Sequence, residues 1–347
     1  MKRALLVLAL AGCETTGTAL RDIRQHPLPS CDEVVYKPSE ERQLDLLFVI
    51  DDSASMAYRQ QALARGFRQL VDRLENLPDG LPDMHVGVLT TDLGAGGYEV
   101  SGCLGGNNGN LVDFRTATGF VDFLEAKGGS TNFEGTMADA FQQMIPLPTN
   151  GCGYEQPLAA MTRALTASVN PDFLRRDAVL AVVFVTDEDD CSIYPGSTLF
   201  EPETTRWGPQ TDYRCFEQGV TCQGAAGGAL TNCQPNAVSA QVVPIEVYED
   251  FLLQLKGYDR SKLVVAAIVA PAAPVIVGID SSGRPELLPS CRTEQGGAAK
   301  PAVRLSALAA SFGDVGNTQS ICTDDFDPVL RSIGSSIASG VRGCIAH

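Results

Sequence analysis

Asp51, Ser53 and Ser55 stand at alternate positions directly after residues 44–50, which are apolar at nearly every position. A carboxylate and two hydroxyls on one tight turn form an oxygen donor set. Hard divalent cations, Mg²⁺ above all, take such oxygens in an octahedral shell. Asp and Ser also favour helix N-caps, so the same residues fit a strand followed by a capped helix with no ion. The apolar run reads as a central strand covered on both faces. Open α/β sheets present ligand-binding side chains at the carboxyl ends of such strands. A second apolar run, residues 178–185, is followed at once by Thr186 and Asp187. Two buried strands that each end in an acid are far more specific than either alone.

The helix that must position the serines is expected at about 57–74. Leu63, Phe67, Leu70, Val71 and Leu74 fall on one face of it, and Pro78-Asp79-Gly80 ends it. An apolar strand, Asp51-x-Ser53-x-Ser55, an amphipathic helix and a later strand ending in Asp187 together resemble the metal-ion-dependent adhesion site of the von Willebrand factor type A (VWA) family. The resemblance implies an α/β fold with a doubly wound, mostly parallel central sheet and helices on both faces. It also implies one divalent ion, Mg²⁺ or else Mn²⁺ or Ca²⁺. Ser53 and Ser55 would bind the ion directly, and Asp51 and Asp187 directly or through water. An exposed Asp or Glu of a partner protein would complete the shell.

The family's second motif, a Thr before a helix, is where the chain departs. Its counterpart, Gly151-Cys152-Gly153-Tyr154-Glu155-Gln156-Pro157-Leu158, holds neither Thr nor Ser. Pro157 opens a helix there, with Leu158, Met161 and Leu165 on one face. The site then lacks one ligand, or uses Glu155 or a water. A second placement, residues 129–133, offers Thr131. Tyr154, Glu155, Asp189, Asp190 and Tyr194 are expected on a partner-binding rim. Cys152 and Cys191 lie in loops that meet at the top of the sheet in the family, which implies a Cys152–Cys191 disulfide.

The chain has 347 residues, 44% of them hydrophobic, and a formal net charge of −16. It can bury a sizeable core. The acidic balance argues against nucleic-acid binding, which needs a basic footprint, and against docking on anionic lipid headgroups. Residues 1–12 read as a signal peptide: Lys2-Arg3 precedes a short apolar core, too short to span a membrane. Leu10-Ala11-Gly12-Cys13 resembles the lipobox of bacterial lipoproteins, which implies acylation at Cys13. Membrane attachment is then only through that lipid, in a cell envelope, on a leaflet the sequence leaves open. An ordinary secretory peptide is the alternative. Residues 13–40 read as a tether rich in proline. Ten cysteines besides Cys13 suit disulfides in an exported protein; Cys291–Cys322 and Cys31–Cys344 are further candidate pairs.

The domain is expected over 41–347, with insertions at about 93–127 and 193–243. Strands are expected at 85–91 and 263–269. Pro244 opens a helix with Val247, Phe251, Leu252 and Leu255 facing in. Pro301 starts another, with Leu305 and Leu308, and Asp327-Pro328 caps the last. Asp92 is expected to face the same edge as Asp51. Pro271 and Pro274 argue against a membrane helix in the apolar stretch that follows residue 263. Only His26, His85 and His347 are present, so a Ser-His-Asp or Cys-His arrangement is hard to assemble and the protein is not expected to be an enzyme. A phosphatase of the haloacid-dehalogenase type would use Asp51 as nucleophile but needs an acid where Ser53 stands. A metal-free structural or envelope-assembly protein is the other alternative.

Overall fold

Residues 44–50 run through the middle of the molecule because both neighbouring strands are apolar too. The computed structural model describes residues 42–342 apart from positions 79, 104, 118 and 226. The expected signal peptide, Cys13, the tether and the Cys31–Cys344 pair lie outside the described residues.

The first half of the chain forms β1 (Gln43–Ile50), α1 (Ala57–Glu75), β2 (Asp83–Thr90), β3 (Phe114–Thr116), β4 (Gly119–Val121), β5 (Leu124–Lys127), β6 (Ser130–Thr131), α2 (Met137–Met144) and α3 (Pro157–Ala164). Then follow β7 (Val179–Val185), α4 (Tyr213–Gly219), β8 (Val220–Gln223), β9 (Ala229–Pro235), α5 (Ile245–Leu255) and β10 (Leu263–Val269). The chain closes with β11 (Val275–Ile279), β12 (Pro285–Leu287), β13 (Cys291–Arg292), β14 (Ala298–Ala299), α6 (Val303–Ser311), β15 (Gly316–Ser320) and α7 (Asp327–Arg342).

The main sheet has seven strands in the order β15-β10-β7-β1-β2-β5-β6. The first five are parallel, and β5 and β6 add an antiparallel edge. Side chains of β1 alternate between two cores. Leu44, Leu46, Phe48 and Ile50 join Phe67 of α1, Phe141 of α2 and Ile333 of α7. Leu47 and Val49 join Leu158 of α3, Leu252 of α5 and Leu305 of α6. This two-residue alternation puts helices on both faces of the sheet. Phe67 stacks on Phe141 with ring centroids 3.6 Å apart, and Phe48 meets both rings. The expected inward face of α1 is buried at all five positions.

Several elements differ from the sequence reading. The inward stripe of α5 is Ile245, Tyr248 and Leu252, and Val247 is 51% exposed. Pro244 caps this helix, so the buried positions count from Ile245 rather than from Val247. The antiparallel strand β5 falls at the end of the segment expected as an insertion. The segment 193–243 contributes α4, β8 and β9, and its strands join β11 and β12 in a second, four-stranded sheet. That insertion is therefore docked on the excursion after β10, with its own core of Phe216, Val220, Val275 and Val277. Among the described residues no helix is long and apolar enough to cross a membrane.

Four disulfides occur among the described residues: Cys103–Cys152, Cys191–Cys215, Cys222–Cys233 and Cys291–Cys322. The expected Cys291–Cys322 bridge is present. Cys152–Cys191 is not. The two loops do touch, since the Cys191 N–H donates to the Glu155 carbonyl at 2.7 Å. Their sulfurs are taken elsewhere. The loop after β2 brings the Cys103 Cα within 4.2 Å of that of Cys152, and α4 brings Cys215 within 5.1 Å of Cys191.

Candidate metal centre at the carboxyl edge of the sheet

The parallel register places Ile50 beside Val185, so the turns after β1 and β7 open side by side. Asp51 is fully buried. Its Oδ1 accepts the Ser53 N–H at 2.7 Å, and its Oδ2 accepts the Thr186 hydroxyl at 2.8 Å. The Ser53 and Ser55 hydroxyl oxygens are 3.0 Å apart, and Ser55 donates to Asp187 Oδ1 at 3.1 Å. Neither serine hydroxyl acts as a helix cap: Ser53 precedes a 3₁₀ turn, Ala54–Met56, and Met56 precedes α1, in both cases without a side-chain cap bond. Ser55 is exposed and Ser53 half-buried, whereas Asp51 and Asp187 are buried, so the row leads from the surface inward.

These separations fit the implied ion. Adjacent oxygens around an ion bound at about 2.1 Å in an octahedron are about 3.0 Å apart. No group of three or more His, Cys, Asp or Glu side chains that could hold a metal occurs among the described residues. An ion here would therefore depend on the serine hydroxyls as well as on carboxylates.

Arg59, in the first turn of α1, is a feature that spacing did not reveal. Its guanidinium is 1% exposed. It pairs with Asp187 Oδ2 and donates to the carbonyls of Ser55 at 3.1 Å and Ala298 at 2.9 Å. Asp187 thus gives one oxygen to arginine and turns the other toward Ser55. Gln60 steadies the turn by donating to the Asp51 carbonyl at 3.2 Å.

The second motif behaves as its composition suggests. The Gly151 N–H donates to the Asp52 carbonyl at 3.0 Å, and a Cβ on Gly151 would lie 2.4 Å from Asp52 Oδ1. A side chain there would force the Asp52 carboxylate to move. Glu155 is buried, takes the Thr91 hydroxyl on Oε2, and has no partner for Oε1. Asp52 Oδ1 is likewise buried and unpartnered. Thr131 lies on β6 at the far edge, three strands from β1, and its hydroxyl donates to the Phe133 carbonyl at 2.8 Å. It does not reach the site.

Acids crowd this edge. Burial, and then the charge of Asp187, push Asp51 up to about 6. Burial, Asp92 and Asp51 push Asp52 up to about 7. Burial and Asp51 hold Glu155 well above its ordinary value. Glu188 is raised by burial to about 8, although Lys300 opposes the rise. Lys300 lies between Glu188 at 2.9 Å and Asp212 at 2.8 Å. The expected placement of Asp92 at this edge agrees with its influence on Asp52.

The expected rim is mostly interior. Tyr154 is 3% exposed and stacks on Phe200 at 4.3 Å. Asp189 accepts the N–H groups of Arg304 and Leu305 at 2.9 and 3.1 Å, capping α6. Asp190 is buried against Arg304 at 2.9 Å and also accepts the Leu158 N–H at 3.1 Å. Glu155 is also buried, so three of these four side chains are interior, while Asp189 is half-buried and engaged with α6. Tyr194 alone of the five is substantially exposed, at 37%. Arg304, Lys300 and Thr186 were missed, because their roles depend on which loops meet.

No protein-family model and no curated protein matches the chain. Among solved structures, proximal thread matrix protein 1 from the mussel byssus is 11% identical with a TM-score of 0.35, covering 86% of this chain and 46% of that one. The pilus adhesin SpaC from Lactobacillus rhamnosus GG is 11% identical with a TM-score of 0.38, covering 87% and 30%. The human COPII-coat protein Sec24c is 11% identical with a TM-score of 0.35, covering 86% and 32%. The chain spans less than half the length of each. Superpositions this loose support no inference about function.

Proposed function

We propose that this protein is a divalent-cation-dependent protein-binding module of VWA type, with a doubly wound sheet, held in a cell envelope through a lipid at Cys13. The observation that carries the reading is the row of Ser53 Oγ, Ser55 Oγ and Asp187 Oδ1, spaced 3.0 and 3.1 Å apart, which runs from the two serines at the surface to a buried carboxylate and is unused as caps. Ser53, Ser55, Asp51 and Asp187 would hold Mg²⁺, Mn²⁺ or Ca²⁺. The ion would supply an electrophilic position for a carboxylate of the partner. The surrounding excess of buried acid favours cation capture. Thr186 and the Ser53 N–H fix the Asp51 carboxylate, and Arg59 fixes Asp187, so the donors are oriented in advance.

One observation favours a second reading. Arg59 already supplies a positive charge to Asp187, so the site can be neutralised internally and serve folding alone. Calorimetric titration of Mg²⁺ and Mn²⁺ into the oxidised protein, beside Asp51→Ala and Arg59→Gln, separates the two. Under the cation reading the wild type binds, Asp51→Ala does not, and excess Mg²⁺ restores much of the stability that Arg59→Gln loses. No heat from a folded wild type, and no rescue of Arg59→Gln, would establish the internal ion pair as the purpose of the site. No observation favours a hydrolase.

A further inference from the structure

A groove of about 410 Å³ opens beside the serine turn. One wall is α1, presenting Ala57, Gln61 and Arg65. The other is α2 and the segment after it, presenting Gln142, Ile145 and Leu147. Both walls start close in sequence to the candidate metal centre. Ala57 is two residues beyond Ser55. The opposite wall ends at Thr149, two residues before Gly151, whose N–H is bound to the Asp52 carbonyl. The groove therefore starts close to the oxygen cluster along the chain, although none of the four donors lines it.

Its chemistry is selective. The floor is apolar, with Ile145 and Leu147 buried. Gln61 and Gln142 are exposed amides with no hydrogen-bond partner among the described residues, and Arg65 is an exposed cation with no ion pair there. In a chain of net charge −16, Arg65 gives the apolar groove a positive end. Unpaired amides along a groove match the alternating N–H and C=O groups of an extended peptide. Arg65 matches a carboxylate. It lies about 12 Å beyond Ala57 at about 1.5 Å per helical residue, which an extended strand covers in about four residues at about 3.3 Å each.

We infer that the groove receives an extended acidic segment of the partner protein. One acid of the segment sits at the cation, an apolar side chain lies on Ile145 and Leu147, and a second acid about four residues away pairs with Arg65. This rests on the cation-dependent reading for its first contact. The groove supplies the specificity that a single carboxylate cannot.

The test is selection of a random nine-residue peptide library, displayed on phage, against the oxidised full chain in Mg²⁺ and in EDTA. The substitutions Arg65→Glu and Gln142→Trp alter exposed side chains and leave the core intact. Mg²⁺ titration of each protein accompanies the selection. Wild type is expected to enrich two acids about four residues apart with an apolar residue between them. Arg65→Glu should lower enrichment of the second acid at least fivefold and leave the first. Gln142→Trp should abolish the apolar preference. Enrichment of a single acid that both variants retain would overturn the groove and leave the cation site standing. No enrichment by a protein that binds Mg²⁺ would overturn it equally. Peptides that survive EDTA and still require Arg65 would overturn the cation reading and keep the groove.

Discussion

Asp51 carries the clearest consequence at the scale of single residues. It, Asp52 and Glu188 are acids whose pKa values in the folded state lie above their ordinary 3.8 to 4.5, at about 6, 7 and 8. Between the ordinary and raised values the folded state holds more protons than the unfolded one, so stability falls as pH rises. In EDTA the melting temperature should therefore decline from about pH 4 to about pH 8. Saturating Mg²⁺ should flatten that decline, because a bound cation replaces the lost protons as counter-charge. Thermal denaturation across that range checks both, and a rising profile in EDTA would contradict the assignment. Asp51, Ser53, Ser55 and Asp187 were legible because each follows an apolar strand at fixed spacing. Arg59 was not. In sequence it is an arginine on a surface helix, and only the closing of β14 over α1 buries it.

At the scale of elements, Gly151 shows why the second motif could not be repaired by analogy. A threonine there would put the missing residue type into the second motif. Its Cβ would meet Asp52 Oδ1 at 2.4 Å. Gly151→Thr is thus expected to destabilise the protein by about 1–3 kcal/mol through overpacking, with no gain in Mg²⁺ affinity. Urea denaturation and calorimetry would show this, and tighter Mg²⁺ binding would refute it. The long apolar elements β1, β7 and β10 and the helices α1 and α7 were readable from periodicity, since burial on both faces or one face leaves a strong pattern. The strand β15 was not. Its sequence Gly-Asn-Thr-Gln-Ser is polar because it is an edge strand, and Asn317 and Gln319 bond to Ser332 and Ser336 of α7. The Cys103–Cys152 and Cys191–Cys215 pairings were hidden for a related reason, since they depend on how irregular loops fold back, whereas Cys291–Cys322 was anticipated.

For the whole molecule, the disulfides and ion pairs tie separate excursions of the chain into one rim. Cys291–Cys322 joins the β13–β14 hairpin to the turn before α7. The same hairpin supplies the Ala298 carbonyl to Arg59, and Lys300 after it donates its N–H to the Asp187 carbonyl at 2.8 Å. Replacing both cysteines by serine opens a loop of 31 residues, and the loss expected from chain entropy is about 2–4 kcal/mol. Weaker Mg²⁺ binding should accompany it, because Asp187 loses part of its support. Denaturant unfolding and titration of Cys291→Ser/Cys322→Ser measure both. Three of the four described bridges lie at this one end of the sheet, linking the loops after β2, β7 and β15 to their neighbours. A mechanical load entering there would pass through sulfur into several parts of the fold at once. Parallel strands loaded together must be sheared as a block, whereas a single unlinked loop could be peeled away. Under the proposed binding function, a pull on the partner would thus enter the fold at its most heavily cross-linked end.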